Sequence, residues 1–285
     1  MIRLILLLVL LLVPRPTAAA DVDVLERVGD HYRGALTGLR SYAVTVETEQ
    51  VAEMIDRMTA DLPPEISRPG IPVLTRYWSA DAGGSVVLAE GSDLLPTMRQ
   101  MVEKLLREFA LDLPFALLPA DRVDERGDFF RRGQVTRTET VRAGVRSRDI
   151  LLSFPDPVDL AGSFYRTALP LPQRNVRSLN FHLDPDRSLL RGLEVVTADG
   201  RQRAMVLGHD RRSGRHLPVD MQVTGDGGTD RLTTVLGEVQ GFWLPLRQVR
   251  IMHRPDRDET INVRFVDYRL NVPLPPAALE KLSSR

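Results

Sequence analysis

The sequence predicts a mainly β protein of the α+β class, built on one antiparallel sheet with helices over its apolar face. From residue 129 onward, nearly all of the chain reads as short strands separated by turn sequences such as ADG, GDGG and HRPDRD. Several strands begin about 11 to 14 residues apart, which suits hairpin connections better than crossover helices. Many of them carry apolar residues at every second position. We therefore expect an antiparallel meander.

The alternation gives the predicted sheet one apolar and one polar face. Arg, Gln, Asp and Thr occupy the polar face. The apolar face needs a cover, and helical segments over residues 21–39, 51–62 and 93–110 are the candidates of suitable length. Four strands illustrate the apolar pattern: Ile150, Leu152 and Phe154; Leu179, Phe181 and Leu183; Val219, Met221 and Val223; Ile261, Val263 and Phe265.

The first ninety residues of the chain alternate between helical and extended patterns. Apolar residues recur at helical spacing over residues 21–39 and again over residues 51–62, where two prolines follow. Between these helices, SYAVTVETEQ alternates in the manner of a half-buried strand. VLTRYWS and SVVLAE predict two further strands, joined at a Gly-Gly pair.

Residues 1–20 predict a secretory signal peptide. Arg3 precedes an apolar run, and three alanines end the segment before Asp21. The run is about half as long as the roughly twenty residues that a membrane-crossing helix needs. The sequence contains no Cys, so we expect neither disulfides nor a lipid anchor on a cysteine. We expect cleavage before Asp21 and a mature chain, residues 21–285, in the periplasm.

Composition excludes some classes of partner. Lys and Arg total 38, as do Asp and Glu, and no block of one sign stands out. A chain without a basic field is not expected to bind nucleic acid. The mature chain is long enough to bury a sizeable core, and we expect a monomer.

The sequence offers no constellation for catalysis or metal binding. His209 and His216 flank the turn DRRSGR with Asp210 nearby, and we expect solvated hairpin residues there instead of metal ligands. GDGGTD lacks the closing Glu of a calcium loop and predicts a hairpin turn. No nucleophile elbow or Gly-rich phosphate loop is present. We expect no catalytic residue, no metal and no cofactor.

Residues 92–119, SDLLPTMRQMVEKLLREFALDLPFALLP, are the most apolar stretch of the predicted mature chain. A helix there gives one broad apolar stripe, with Glu103 and Arg107 among the residues facing away. The stripe predicts either core or a lid over a ligand cavity. Adaptable methionines here and in residues 51–62, and a tail broken by two prolines, favour the lid. The stripe is Leu94, Leu95, Met98, Met101, Val102, Leu105, Leu106 and Phe109, and the four methionines are Met54, Met58, Met98 and Met101.

The C-terminal stretch INVRFVDYRLNVPLPPAALE resembles the end of the LolA-like family of periplasmic outer-membrane lipoprotein-sorting proteins. In that family the last strand leaves through an aromatic, an Asn and a short exit. FHLDPDRSLLRGLEVVTADGRQRAMVLGH, HLPVDMQV and GFWLPLRQVRI are similar to the family's hairpins, including Pro218 and Pro245 early in two strands. HYRGALTGLRSYAVTVET is similar to its opening helix and first strand. The resemblance covers most of residues 24–280.

The resemblance implies an unclosed β-barrel of about eleven strands, with helices covering its open apolar face. It also implies a carrier that binds acyl chains of lipoproteins or lipids on their way to the outer membrane, between an inner-membrane exporter and an outer-membrane acceptor. The family tunes release with an arginine near the cavity mouth, for which Arg40 and Arg76 are candidates here. The residues expected to line or cover the cavity are Val44, Leu88, Met98, Met101, Leu105, Phe109, Leu152, Phe181, Met221 and Phe265.

Two other classes of function stay open. A non-enzymatic interaction or stress-sensing module of the same fold would bind a protein and have a filled interior. An enzyme would need a polar pocket, for which the sequence offers no constellation.

Overall fold

One antiparallel sheet dominates the protein. The computed structural model describes residues 18–63, 65, 67–82, 84–91, 93–109, 111–142 and 145–283, with side chains at all of these positions except 18–20, 104, 106–109, 142 and 145. Most of the predicted signal peptide therefore lies outside the described residues. The strands are β1 (Ser41–Glu47), β2 (Val73–Ser79), β3 (Gly84–Glu90), β4 (Gln134–Arg142), β5 (Val145–Val158), β6 (Val176–Asp184), β7 (Leu189–Thr197), β8 (Gln202–Arg212), β9 (Arg215–Gly225), β10 (Gly228–Val239), β11 (Phe242–His253) and β12 (Asp258–Leu270).

The strand order across the sheet is β3-β2-β1-β12-β11-β10-β9-β8-β7-β6-β5-β4. From β4 to β12 each strand pairs with the next in sequence, which is the predicted meander. Strand β1 pairs with both β12 and β2. Strands β3 and β4 form the two edges, so the sheet is not closed. The predicted mainly β, unclosed antiparallel architecture is confirmed, with 12 strands where about eleven were expected.

Helices cover both ends of the sheet. Those that begin at Ala18, Glu49 and Pro96 confirm the three predicted helical segments, although the second ends at Met58. The predicted strand from Phe129 is wrong up to Gly133, because Arg126, Phe129 and Phe130 form the buried side of a helix. No helix in the described part of the chain is both long and apolar enough to cross a membrane. The helices are α1 (Ala18–Arg33), α2 (Glu49–Met58), α3 (Pro96–Phe109), α4 (Leu113–Ala116), α5 (Val123–Arg132) and α6 (Pro276–Ser283), with 3-10 turns at Gly34–Leu36 and Ala120–Arg122.

The inner face of the sheet, which carries Tyr42, Val44 and Val46, packs against helices in two clusters. The larger cluster joins α1, α4 and α5 to strands β4 to β10 and includes Leu152 and Phe181. The smaller cluster joins α2 and α3 to β1, β2, β3, β11 and β12. Each cluster buries apolar side chains of its helices against the sheet, as a helix beside a sheet must.

The outer face is covered at one end only among the described residues. Helix α6 packs there on β3, where Ala278 and Leu282 meet Ala43, Tyr77 and Leu88. Strands β1, β2 and β3 are therefore buried on both faces of the sheet, because alternate residues of each strand enter different clusters.

Helix α3 is rotated relative to the predicted stripe. Met98 and Val102 are buried, whereas Leu95 and Met101 are 63% and 50% exposed. Glu103, predicted to face solvent, is instead buried. Its carboxylate accepts hydrogen bonds from Ala89 N at 3.4 Å and Lys281 Nζ at 2.5 Å. These polar contacts with β3 and α6 fix the helix in this rotation, because a buried carboxylate must keep its donors.

Candidate functional site

The closing segment, residues 111–118, lies over the inner face and includes α4. Most of its apolar side chains are buried, Pro114 and Phe115 are half-buried, and its C-terminal end is fixed by backbone contacts. Leu118 N donates to Phe164 O at 2.9 Å, and Arg166 N donates to Ala116 O at 2.8 Å. Leu117 and Tyr165 form an isolated antiparallel bridge. The segment is therefore attached firmly at one end.

An ion pair attaches the other end. Arg76 Nη2 lies 2.5 Å from Asp112 Oδ2, and the two side chains are 2% and 10% exposed. Ser85 Oγ accepts from the same guanidinium at 3.0 and 2.8 Å, and Tyr42 OH donates to Asp112 Oδ2 at 3.2 Å. The guanidinium also lies 5.8 Å from the ring centroid of Phe265. A buried arginine thus joins β2 to the closing segment. Its directional hydrogen bonds fix the position of the segment more specifically than an apolar contact would.

Burial governs the protonation of the hydroxyls around this pair. It raises the pKa of Tyr42 well above 10, and the neighbouring Asp112 carboxylate raises it further, although Arg76 opposes both effects. Burial likewise raises the pKa of Tyr268. Burial alone would lower the pKa of Arg76, but the attraction of Asp112 raises it overall. Both tyrosines are therefore neutral donors and Arg76 is a fixed cation at physiological pH.

An amide adds a second polar attachment. Gln248 Nε2 donates to Leu111 O at 2.5 Å and to Thr234 Oγ1 at 3.2 Å. Gln248 Oε1 is buried and has no partner among the described residues. The hydrogen bond that holds Leu111 over the sheet uses its backbone carbonyl. This attachment therefore needs no polar side chain at position 111.

Aromatic rings line the space beneath the segment. Trp78 stacks on Tyr42 with ring centroids 5.5 Å apart and planes at 14°. Phe115, on α4, lies 4.8 Å from Trp78 at 42°. Tyr268 meets Tyr42 edge to face at 5.5 Å. The rings form a continuous apolar wall from β2 to β12.

Phe115 borders two cavities. One, of about 30 Å³, lies toward β9, β10 and β11 and is lined by Leu217, Leu236 and Leu244 among others. The other, of about 160 Å³, lies toward Trp78. Leu36, Pro114 and Phe115 border both cavities. The side chain of Phe115 therefore contributes to the wall between them.

The predicted lining residues fall into different places. Val44, Met98, Leu105 and Phe265 come together in the smaller inner cluster, whereas Leu152, Phe181 and Met221 lie in the larger one. Leu88 lies on the outer face under α6, because its strand neighbours Val87 and Ala89 take the inner positions. Met101 is half exposed, and the side chain of Phe109 lies outside the described residues. Their role in lipid binding stays a prediction.

Sequence reasoning missed the polar attachments of the closing segment. Arg76 appeared only as one of two candidate arginines, while Asp112, Gln248 and Phe115 were not singled out. One signal was present: Asp112 is a single carboxylate in the apolar run LDLPFALL. A carboxylate in such a run needs a buried partner. Nothing local identifies Arg76 as that partner, since 36 residues separate the two.

The histidines form no metal centre in the described residues. No group of three or more acidic or histidine side chains there is placed to hold a metal ion. His209 stands opposite Pro218 in the hairpin, and His216 stands opposite Arg211. His209 Nε2 lies 2.9 Å from Tyr32 OH. His209 is thus packed against α1, and the expectation of a solvated hairpin residue is wrong for it.

The solved structures similar to this chain share little sequence with it. No protein-family model and no curated protein matches the sequence. A DUF1329 family protein from Desulfovibrio piger is similar at 11% identity and TM-score 0.33, covering 92% of this chain and 97% of that chain. A putative outer membrane lipoprotein-sorting protein domain from Vibrio parahaemolyticus is similar at 9% identity and TM-score 0.32, covering 91% of this chain and 97% of that chain. A LolA superfamily protein from Nitrosomonas europaea is similar at 9% identity and TM-score 0.31, covering 92% of this chain and 97% of that chain.

Proposed function

We propose that the protein is a periplasmic carrier that binds acyl chains of lipids or lipoproteins between the inner face of its sheet and the closing segment. The observation that carries this proposal is the closing segment itself. It is a mainly apolar strip, attached through Arg76, Gln248 and the Leu117–Tyr165 bridge, and its Phe115 borders two cavities. Such a segment can exchange one apolar partner for another.

Acyl binding requires the closing segment to move. The two cavities measure about 30 and 160 Å³, whereas ligand pockets usually hold roughly 300–1,000 Å³. The structure therefore corresponds to a closed, ligand-free arrangement in this proposal. Displacing Phe115 and its neighbours would join the cavities along the inner face, where Val44, Met98, Leu105 and Phe265 extend the apolar surface.

The energies of the two arrangements are comparable. Withdrawing a palmitoyl-length chain from water contributes roughly 12 kcal/mol, at about 0.8 kcal/mol for each methylene. Opening the Arg76–Asp112 pair costs about 3–5 kcal/mol. Exposing the apolar side chains of the closing segment costs about 1.5–3 kcal/mol for each one that is fully buried. An acyl chain can therefore replace the segment with a modest net change, which also permits release to an acceptor.

Transport needs no covalent step in this proposal. An inner-membrane exporter would deliver the acyl chain and an outer-membrane acceptor would take it, and the protein would shield the chain from water in between. The predicted signal peptide supports a periplasmic location, and the charge balance disfavours nucleic acid.

Native mass spectrometry of the protein purified from membrane-containing extracts tests the proposal. We expect a bound acyl lipid on the wild type, and uptake of added monopalmitoyl glycerol. Leu236→Glu places a charge in the cavity wall and should abolish both. Val235→Glu is the matched control, because Val235 is adjacent but 53% exposed. A wild type that is consistently ligand-free and takes up no lipid would overturn the proposal.

A protein-binding module is the second candidate. The observation that favours it is the small volume of the cavities, since this class predicts a filled interior. It differs from the carrier in one measurable respect. A protein-binding module keeps the closing segment in place while it binds its partner, so hydrogen exchange of residues 111–118 would be the same with and without an acyl lipid.

A further inference from the structure

We propose that Trp78 is a recognition residue for the carbonyl group of the ester or amide that joins an acyl chain to its polar head. The proposal rests on the carrier function and names the ligand class of the same site: acyl esters and amides, in preference to alkyl chains without a carbonyl.

The first observation is a buried donor without an acceptor. Trp78 is 1% exposed, and its Nε1 has no hydrogen-bond partner among the described residues. Trp243 shows the usual arrangement, because its Nε1 donates to Ser213 Oγ at 2.9 Å. Buried N–H groups are nearly always paired, and an unpaired one is costly. A ligand that supplies an acceptor at Trp78 would remove that cost.

The second observation is the position of Trp78. It lines the cavity of about 160 Å³ together with Phe115 and Leu117. Arg33 and Asp121 border the same cavity and are 22% and 49% exposed. The apolar wall, the Trp78 side chain and the exposed charged residues thus border one space, and Nε1 lies within that side chain, closed to water. An acyl ester has the same sequence of groups: chain, carbonyl and polar head.

The third observation decides which acceptor fits. The cations bordering the cavity are already paired: Arg33 contacts Asp30 at 2.7 Å and Leu118 O at 2.6 Å, and Arg166 contacts Asp121 at 2.5 Å. They leave little net attraction for a free anion. The indole N–H is a donor only. A neutral carbonyl oxygen therefore suits this place better than a carboxylate or a phosphate.

The protein contains only two tryptophans, which gives a direct experiment. The variant Trp243→Phe leaves Trp78 as the single indole fluorophore. The whole protein carrying this change is titrated with monopalmitoyl glycerol, an ester, and with hexadecyl glycerol, an ether of similar length without a carbonyl. We expect the ester to bind about tenfold more tightly and to shift the Trp78 emission to longer wavelength, as a new hydrogen bond at Nε1 does.

Trp78→Phe provides the second measurement. It removes the N–H but keeps an aromatic ring, so the ester should lose about tenfold in affinity and the ether should keep its affinity. Trp243→Phe is the matched comparison: that indole lines the smaller cavity but already has an acceptor, so its loss should affect the ester and the ether equally. Equal binding of ester and ether by the wild type, unchanged in Trp78→Phe, would overturn the inference and leave the carrier function intact. Failure to bind either lipid would overturn the carrier function as well.

Discussion

Arg76 Nη2 and Asp112 Oδ2 lie 2.5 Å apart beneath the closing segment, and both side chains are almost fully buried. This contact ties residues 111–118 to the second strand of the sheet. Because burial makes each charge depend on the other, loss of either charge should weaken the attachment of the segment.

Asp112→Asn should loosen the closing segment. The change keeps the size of the side chain and removes the charge that Arg76 needs, so we expect a loss of about 3 kcal/mol in the free energy of unfolding. Amide hydrogen exchange of residues 111–118 should become at least about tenfold faster. Glu139→Gln is the control, because Glu139 pairs with Arg148 at the surface, where ion pairs contribute about 0–1 kcal/mol. Unchanged exchange in Asp112→Asn would contradict the account of the attachment.

Phe115→Ala should join the two cavities. The side chain borders both, so its removal opens a continuous space. We expect a loss of stability of about 2 to 4 kcal/mol, together with faster uptake of a fluorescent fatty-acid ester in stopped-flow measurements. Phe164→Ala removes the same side chain from the larger cluster, away from both cavities. If Phe164→Ala accelerates uptake as much as Phe115→Ala does, the wall has been placed wrongly.

Arg126→Met should strongly destabilise the fold without affecting lipid selectivity. The guanidinium is fully buried and donates to both carboxylate oxygens of Glu26 at 2.6 and 2.8 Å. It also donates to Pro119 O at 2.8 Å and Ser163 O at 2.6 Å. Leaving Glu26 and these carbonyls without a donor should cost about 3–5 kcal/mol, measured by urea unfolding.

The control for Arg126 is Arg131→Met on the same helix. Arg131 pairs with Asp128 at the surface, and both side chains are more than half exposed. Its replacement should change the free energy of unfolding by less than about 1 kcal/mol. Similar losses in the two variants would show that the buried network is not what holds α1 against α5.

Stability should fall in mild acid because of His209. Burial, with a smaller effect of nearby cations, lowers its pKa from 6.5 to about 4. Between these values the unfolded chain binds a proton that the folded chain does not, so the free energy of unfolding decreases as the pH falls from about 6.5 to 4. The loss should reach about 3 kcal/mol, and above pH 6.5 this contribution is fully present.

The matched pair for this pH dependence is His209→Gln and His253→Gln. The first should flatten the slope between pH 4 and 6.5. The second should leave the slope of stability against pH unchanged, because the His253 side chain lies at a hairpin and is 57% exposed. An unaltered slope in His209→Gln would assign the acid sensitivity to another group.

Strand alternation predicted the sheet well because one buried face forces every second residue to be apolar. Ile150, Leu152 and Phe154 are buried as their pattern predicts. Helix α5 was missed because Phe129 and Phe130 favour strands locally, and Gly127 weakens the helical pattern. Burial of Arg126 against Glu26, a contact across 100 residues, overrides that preference.

The candidate site was less predictable than the sheet. A sequence pattern places Met98 and Met101 on one helix, but the rotation of that helix depends on Glu103 meeting Lys281 and Ala89. Met101 consequently faces solvent and Met98 does not. Contacts of this kind join distant segments and have no local signal, which is why the polar attachments of the closing segment emerge only from the fold.

Photo-crosslinking locates a bound acyl chain on the protein. Monopalmitoyl glycerol with a diazirine near the end of its acyl chain is irradiated with the whole protein, and the modified residues are mapped by mass spectrometry. We predict crosslinks around the smaller cavity beneath the closing segment, at Leu36, Leu217 and Leu244, and their loss when unlabelled lipid competes. Crosslinks confined to exposed apolar residues such as Leu95 and Met101, or none that unlabelled lipid removes, would show that acyl chains do not bind beneath the closing segment.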